Sequence, residues 1–467
     1  MTTTRPANLT TGPIPNTLAR LTLPMAAGFA AGITFNLVDT IYVGRLGTEA
    51  LAAISFTFPV VMLIVSLSVG LGLGMGSTIS RAVGRGSSDR VRRLTTDGLV
   101  LAMAVAIIFV TAGMLTIRPL FTLLGATPDI LELINQYMII WYPGMLFVII
   151  PMVGNHAIRA TGDTFYPGMI MVTGSVVNLV LDPILIFGLL GFPRMELAGA
   201  ALATVIARAI TLAMSLYILA RRERMIDFSF PRIAEVLRSW KDILYVGVPA
   251  AATNLLFPLS MGVVTYLASR FGPEAVGAVG AGLRIESFAF IVIIALTSAL
   301  VPFTGQNWGA EKFDRVYDGM HHSNRFTSWW GMGCWILFVV LARPIATLFS
   351  TDPIVIAYIV IYLYIMPAGL SLQGVFHIIS ATLNAINRPI DAAGLNVIRV
   401  FLFYIPLTFL GAMLLGFPGL IGGIAVTNII TGFMGLSWTT RTCRRSEKRS
   451  LRVSEIWPCP EEESPSP

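Results

Sequence analysis

Two aspartates within long apolar segments stand out for the chemistry they could perform. Asp39 is the single acidic or basic residue of segment 21–43, and Asp182 lies in the apolar run 176–183. A carboxylate at the depth of a lipid bilayer costs roughly 2.5–3.5 kcal/mol on insertion scales, so such an acid marks a functional site by default. We therefore expect both acids to lie in a protein-lined cavity past which a solute moves.

Polar and aromatic neighbours accompany both acids at helical spacing. Asn36 and Phe35 precede Asp39 by three and four residues, and Asn178 precedes Asp182 by four, so each set shares one helix face. An asparagine beside an aspartate on each of two facing helices offers oxygen ligands for H⁺ or Na⁺. The spacing does not separate these ions, because carboxylate and amide oxygens suit both.

Each acid also has an alternative interpretation without a role in transport. Asp39 would be an interfacial residue if its helix ended near Gly44, because five residues span only about 7.5 Å along a helix. Asp182 would be an N-cap if its helix broke and restarted at Pro183. The sequence leaves both alternatives open.

Three further positions are candidates for the site: Thr204 as a ligand, and Ala200 and Arg284 in an accessory role, like Phe35 and Asn36. Gly199 begins a run of small residues that includes Ala200 and ends at Thr204, and such runs favour close helix packing. The Thr204 hydroxyl would either serve as a ligand or bond to its own helix. Arg284 lies inside a later apolar segment, as a mobile counter-charge or as half of a structural ion pair. Glu286 is two residues further on and cannot face Arg284 on the same helix.

The composition indicates a protein built inside a membrane. Of 467 residues, 55% are hydrophobic and 12% charged, with a mean hydropathy of +0.76, whereas soluble domains carry about 25% charged residues. The three cysteines fit no disulfide or metal spacing, and no nucleotide-binding loop or catalytic cluster occurs. We expect no enzyme, no cofactor, no resident metal and no nucleic-acid partner. The polar N-terminus also lacks the pattern of a signal peptide.

Apolar segments of about 20 residues predict an all-α polytopic membrane protein with twelve transmembrane helices in two pseudo-symmetric six-helix lobes. The predicted helices are 17–43, 52–80, 95–117, 130–158, 165–190, 197–220, 243–269, 277–305, 323–342, 355–384, 391–415 and 420–440. The predicted parts are a cytoplasmic N-terminal segment 1–16, an N-lobe 17–220, a cytoplasmic linker 221–242, a C-lobe 243–440 and a tail 441–467. The tail is basic and then rich in Glu and Pro, which predicts disorder.

Basic residues concentrate in alternate loops. The loop after the second predicted helix and the loop after the eighth are basic, as are the linker and the tail, whereas the opposite loops carry mostly one arginine each. The positive-inside rule then predicts a multi-pass protein of the inner membrane with both termini in the cytoplasm. Arg399, inside the eleventh predicted helix, is expected to extend its guanidinium toward a membrane interface.

An internal repeat organises the chain. The motif at 45–50 recurs at 270–275, and the same offset of 225 residues pairs 89–91 with 314–316 and 191–193 with 416–418. Because each copy contains six predicted helices, the copies share one orientation, as in the parallel repeats of one class of secondary transporter. Asp39 falls opposite Val264 and Asp182 opposite Leu407. The fold is duplicated but the acids are not, which favours an ion site in one half.

These motifs resemble the MATE family, the multidrug and toxic compound extrusion transporters. The resemblance rests on 36–40 with 43–47, on Asn178 with 181–183, on 199–204 and on 305–310, and it covers about residues 15–440. The second half carries no carboxylate in 248–268 or 354–384, which is similar to the DinF-like prokaryotic branch that works through the first lobe. Phe35 departs from that branch, which often has a tyrosine there, and so lacks a hydroxyl for a proton relay.

The resemblance implies a V-shaped pair of lobes that rock against each other and an antiporter that exports cationic or amphiphilic drugs in exchange for H⁺ or Na⁺. It implies a coupling site of Asp39, Asn178, Asp182 and Thr204, with Ala200 nearby; Na⁺ would bind at the two acids. The absence of acids in the second half favours H⁺. We expect a monomer in the lipid bilayer that carries small organic substrates. The alternative is a flippase for lipid-linked oligosaccharides or polysaccharides, which should line its cavity with several basic residues.

Overall fold

The computed structural model describes residues 8–229 and 232–456, with side chains as far as Trp438, and these residues form helices and connections without a strand. The α-helices are α1 Ile14–Gly44, α2 Thr48–Gly84, α3 Ser88–Leu123, α4 Pro128–Gly144, α5 Leu146–Ala160, α6 Phe165–Phe187, α7 Glu196–Tyr217, α8 Ile233–Ser269, α9 Pro273–Gly309, α10 Phe313–Phe349, α11 Pro353–Ile365, α12 Leu370–Ala385, α13 Pro389–Val397 and α14 Ile405–Ile456. Two π-helical segments, Ile218–Arg222 and Ile398–Tyr404, follow α7 and α13.

Twelve segments of the described chain cross the membrane, as predicted. Ten helices are long and apolar enough, and α4 with α5, bent by 41°, makes an eleventh. The last of the ten, Pro389–Trp438, contains two crossings, because the backbone of Gly416 leaves the helical region with φ 64° and ψ −142°. These conformations suit glycine, which has no Cβ.

Two helices extend into segments predicted to lie outside the lobes. The first turns of α8, from Ile233, lie inside the predicted linker, where Trp240 Nε1 donates to the carbonyl of Asp97 at 2.9 Å and Arg90 pairs with Asp242 at 2.8 Å. The last helix continues to Ile456, into the segment predicted to be disordered, and residues 457–467 lie outside the described residues.

The lobes pack against each other at one end of the molecule, here called the basic face, where the loops after α2 and α9 carry Arg85 and Lys312. Gly70 and Gly74 of α2 lie against α8 so closely that a Cβ at Gly74 would overlap the carbonyl oxygen of Ile243. Both glycines lie in the half of α2 nearer the basic face. Small residues therefore set the close approach of the lobes there.

Two pseudo-equivalent side chains clamp the lobes together at the basic face. Arg81 of α2 donates to the carbonyl of Ala385 in the other lobe at 2.9 Å. Gln306, its partner at the repeat offset of 225, donates to the carbonyl of Ala160 at 2.9 Å, and Ala160 is the repeat partner of Ala385. Each bond satisfies a carbonyl at the C-terminal end of a helix, and both bonds cross between lobes.

The segment before α1 is held between the lobes at the same face. Leu9 is fully buried, its amide donates to Gln306 Oε1 at 3.2 Å, and its carbonyl accepts from Asn307 Nδ2 at 3.2 Å. Arg315 Nη1 reaches the carbonyl of Gly12 at 3.0 Å. The N-terminus of the first lobe is therefore bonded to α9 and α10 of the second.

Candidate functional site

The two acids meet because α1 packs directly against α6. A Cβ at Gly168 of α6 would overlap the carbonyl oxygen of Pro24 in α1, so the helix backbones are close. Further along the same two helices, the carboxyl groups of Asp39 and Asp182 lie next to each other. Two neighbouring carboxylates repel each other unless a proton or another cation neutralises one of the charges. The pair therefore offers a place for one proton or one small cation.

Asn178 and Thr204 complete this cluster from α6 and α7. Asn178 is buried, and with its amide nitrogen facing Asp182 it donates to Asp182 Oδ2 at 2.7 Å and accepts from Thr204 Oγ1 at 3.1 Å. This orientation satisfies both ends of the amide, which is how such amides are assigned. Thr204 thus bonds to Asn178, and the four predicted coupling residues form one connected group.

The structure decides against the N-cap interpretation of Asp182. Asp182 is fully buried and lies inside helix α6, which continues through Pro183 to Phe187. Asp39 lies five residues before the end of α1 at Gly44, about 7.5 Å along the helix, and its carboxyl group lies next to Asp182.

The accessory candidates divide into those near the cluster and those away from it. Ala200 is buried one turn before Thr204 on α7, whereas Phe35 is half-buried on α1. Asn36 is exposed and donates to the carbonyl of Gly32 in its own helix at 2.8 Å. Arg284 is exposed on α9 and has no ion pair among the residues the structure describes. Asn36 and Arg284 are therefore not part of the connected group.

Tyr137 of α4 is a neighbour of the acids that sequence reasoning did not assign to the site. Its hydroxyl lies within the electrostatic reach of both Asp39 and Asp182. Tyr137 marks the repeat, since it pairs with Tyr362 in the other lobe at the offset of 225. The signal that could have identified Tyr137 is a hydroxyl group in a membrane-crossing helix at a position where the repeat has the same residue.

The cluster suits exchange of a single small cation. No lysine or arginine forms an ion pair with either acid in the described part of the chain. The negative charge of the second acid would therefore have to be neutralised by a proton or a metal ion from solution. Carboxylate, amide and hydroxyl oxygens are hard ligands that also fit Na⁺. The pair would hold either a proton on one of the two acids or a Na⁺ ion between two ionised acids, and an arriving positive group would displace either ion.

Comparison with known proteins gives concordant results. A family profile described as MatE matches residues 24–184 and 249–410. The chain is 37% identical over 435 residues to the "FAD transporter" of Shewanella oneidensis, covering 93% of this chain and 96% of that one. It is 26% identical over 378 residues to the "Probable multidrug resistance protein YoeA" of Bacillus subtilis, covering 80% and 81%. Its fold matches an outward-facing multidrug resistance MATE family transporter with a TM-score of 0.89 and 26% identity, covering 96% and 100%.

Proposed function

Because this chain belongs to the MATE transporter family, we propose that it is a secondary active antiporter that exports an organic compound in exchange for H⁺ or Na⁺. The observation that supports this most is the proximity of Asp39 and Asp182, whose repeat partners Val264 and Leu407 are apolar. A proton shared between two acids would be released when a second positive charge arrives. We place the protein in the inner membrane as a monomer.

In the proposed cycle, the basic face lies in the cytoplasm, following the positive-inside rule. The clamp at Arg81 and Gln306 closes that face, and the match to an outward-facing structure supports a cleft open to the outside. The coupling ion enters from outside and binds the acid pair. The lobes then rock, the clamp opens, and the ion leaves to the cytoplasm as substrate binds.

Two substrate classes are candidates for this antiporter. Family members named for multidrug resistance support cationic or amphiphilic drugs, which would compete directly with the coupling ion at the acid pair. A flavin nucleotide is favoured by the 37% identity to a protein named FAD transporter, against 26% for a relative named for multidrug resistance. A flavin nucleotide is anionic and needs a positively charged site elsewhere in the cleft.

The experiment that tests the proposal uses purified protein in proteoliposomes loaded with either FAD or the cationic dye ethidium. A pH gradient in sodium-free buffer and a Na⁺ gradient at constant pH are imposed separately. We expect the pH gradient to drive export, because the two neighbouring acids can bind one proton between them. If only the Na⁺ gradient drives export, the coupling ion is Na⁺; if neither gradient moves either compound, the antiporter proposal is wrong.

A further inference from the structure

A second buried polar cluster lies in the C-lobe, away from the coupling site. Glu286 of α9 is buried, its Oε2 accepts from the Tyr362 hydroxyl at 2.8 Å, and it lies beside Gln373 of α12. Gln373 Oε1 accepts from Asn428 Nδ2 at 3.1 Å, and Asn428 Oδ1 accepts from Arg399 Nη2 at 2.9 Å. A chain of hydrogen bonds thus runs from Gln373 to Arg399, with Glu286 beside its start.

This cluster makes the expectation that Arg399 reaches a membrane interface wrong. Arg399 lies ten residues after Pro389, where the crossing begins, which is about 15 Å along a helix and near mid-membrane. An arginine there costs roughly 2.5–3.5 kcal/mol on insertion scales, and such residues face bundle interiors or water-filled cavities. Asn428 and the ring of Phe376, 4.7 Å from the guanidinium, hold Arg399 inside the lobe.

The Arg399 cluster faces the cleft between the lobes. Gln373 and His377 are one turn apart on α12 and are both half-exposed. The same face of α12 continues to Asn384, whose carbonyl accepts from Ser77 of the N-lobe at 2.6 Å. A helix face that contacts the other lobe at one end lines the space between the lobes along the rest of its length. A ligand in the cleft can therefore reach Gln373 and His377, and Arg399, joined to Gln373 through Asn428, is half-buried beside them.

Arg399 has capacity left for a ligand. A guanidinium carries five N–H donors, and no carboxylate lies within ion-pair distance of Arg399 in the described residues. It lies in the π-helical segment Ile398–Tyr404, and π-helical turns occur frequently at functional sites. His377, with Phe290 packed edge-on to its ring at 5.1 Å, adds aromatic surface near the charge, and the fully buried ring of Phe376 packs against the guanidinium inside the lobe.

We propose that the Arg399 cluster is the substrate-recognition site for a phosphate-bearing aromatic compound of the nucleotide class. Arg399 binds the phosphate through two parallel N–H donors, and the aromatic side chains contact the ring system. This inference rests on the proposed function and assigns its anionic substrate to the C-lobe, opposite the coupling site in the N-lobe.

This arrangement separates the two charges of the exchange. The cation binds at the acid pair of one lobe, and the anionic substrate binds at the arginine of the other. Substrate and ion therefore do not compete for one site by charge, in contrast to a cationic drug. Coupling then depends on the rocking of the lobes, because each ligand favours a different arrangement of the same cleft.

The test measures equilibrium binding of FAD, FMN and riboflavin to the purified protein in nanodiscs by flavin fluorescence. Riboflavin shares the ring of the other two and has no phosphate. We expect wild type to bind FAD and FMN roughly tenfold or more tightly than riboflavin, which is typical of charge-assisted hydrogen bonds. Arg399→Gln should bring the three affinities to within about twofold of each other, and Arg399→Lys should keep part of the preference. Arg343→Gln, an exposed arginine of the same lobe, is the matched control and should keep the full preference.

Three results would overturn the assignment. One is a wild-type protein that binds riboflavin as well as FAD and FMN. Another is an Arg399→Gln variant with the wild-type preference for phosphate. The third is an equal loss of all three flavins in that variant, which indicates a structural role. A phosphate preference that depends on Arg399 supports the site even if no ion gradient drives export, so failure of coupling and failure of this inference are distinguishable.

Discussion

At the scale of single residues, the proposed coupling site is the pair Asp39 and Asp182, with Asn178 bonded to Asp182. Asp182 is fully buried, so its charge has little access to water and depends on the groups that touch it. Asn178 donates to this acid at 2.7 Å, and Thr204 contacts Asn178 rather than either acid. The residues therefore differ in how directly they act on the proton.

We expect Asp39→Asn to abolish coupled export while the protein still folds and inserts. An asparagine keeps the size of the side chain and can donate to Asp182, but it cannot exchange a proton or balance a Na⁺ ion. The measurement is gradient-driven efflux, with folding followed by size-exclusion chromatography. Thr40→Ala is the matched control, because the Thr40 hydroxyl is exposed and bonds to the Asn36 carbonyl of its own helix at 2.8 Å. Export at the wild-type rate by Asp39→Asn would exclude the acid pair as the coupling site.

We expect the loss of activity to be graded between Asn178→Ala and Thr204→Ala. Removing Asn178 takes away a donor to a buried acid, for which a loss of roughly tenfold in coupled efflux is expected from hydrogen-bond energies. Removing Thr204 acts only through Asn178, so a smaller loss follows. Initial efflux rates at a fixed gradient give the order. A larger effect from Thr204→Ala would mean that its hydroxyl binds the ion directly.

At the scale of elements, the site depends on the close contact of α1 with α6. The glycine at 168 lets the backbone of α6 approach Pro24, and further along the same two helices Asp39 lies beside Asp182. The same logic applies in the C-lobe, where helices α9, α11, α12 and α14 and one π-helical segment supply the members of the Arg399 cluster. Each polar site is thus made by neighbouring helices and not by one motif.

We expect Gly168→Ala to weaken both the fold and transport. The added Cβ would overlap the Pro24 carbonyl oxygen, which is backbone and cannot turn aside, so α1 must move away from α6. Gly32→Ala on α1 is the control, since no atom lies within 4 Å of its added Cβ. Thermal unfolding in detergent should show a lower midpoint for Gly168→Ala only, together with slower efflux. Equal midpoints for the two variants would show that the contact is unimportant.

At the scale of the whole molecule, the two lobes are related by the repeat and are clamped together at the basic face. Arg81 and Gln306 occupy equivalent positions and reach equivalent carbonyls across the boundary. Arg81 also donates to Asn387 Oδ1 at 3.1 Å, and Leu9 is buried beside Gln306. Opening this face requires all of these bonds to break together, which makes the closed arrangement a discrete state.

We expect Arg81→Ala to shift the population toward opening of the basic face. The variant loses the donors to Ala385 and Asn387, and lost hydrogen bonds of a charged group are worth roughly 1.5–3 kcal/mol each. Spin labels on cysteines replacing Ser87 and Glu311, in a background without the three native cysteines, report the distance by pulsed electron resonance. A second, longer distance should appear. Arg85→Ala, at an exposed neighbouring position, should leave one distance. An unchanged distribution in Arg81→Ala would rule out the clamp.

The sequence by itself determined the architecture of this protein. Hydrophobic length fixes a membrane-crossing helix, because a backbone in lipid must satisfy its own hydrogen bonds. An offset of 225 residues across six crossings requires two lobes of the same orientation. The cost of an acid in an apolar helix likewise singled out Asp39 and Asp182 before any contact was known. These properties are local to one segment or follow from counting segments.

Only the tertiary structure decided which polar groups meet. The rotation of each helix about its axis and its distance from its neighbours depend on packing, and neither is encoded in the hydropathy of one segment. The packing of α1 against α6 places Asp39 beside Asp182, and the approach of α4 adds Tyr137. The hydrogen bonds from Gln373 through Asn428 to Arg399 join residues far apart in sequence, so the arginine that the sequence alone assigned to an interface lies inside the lobe.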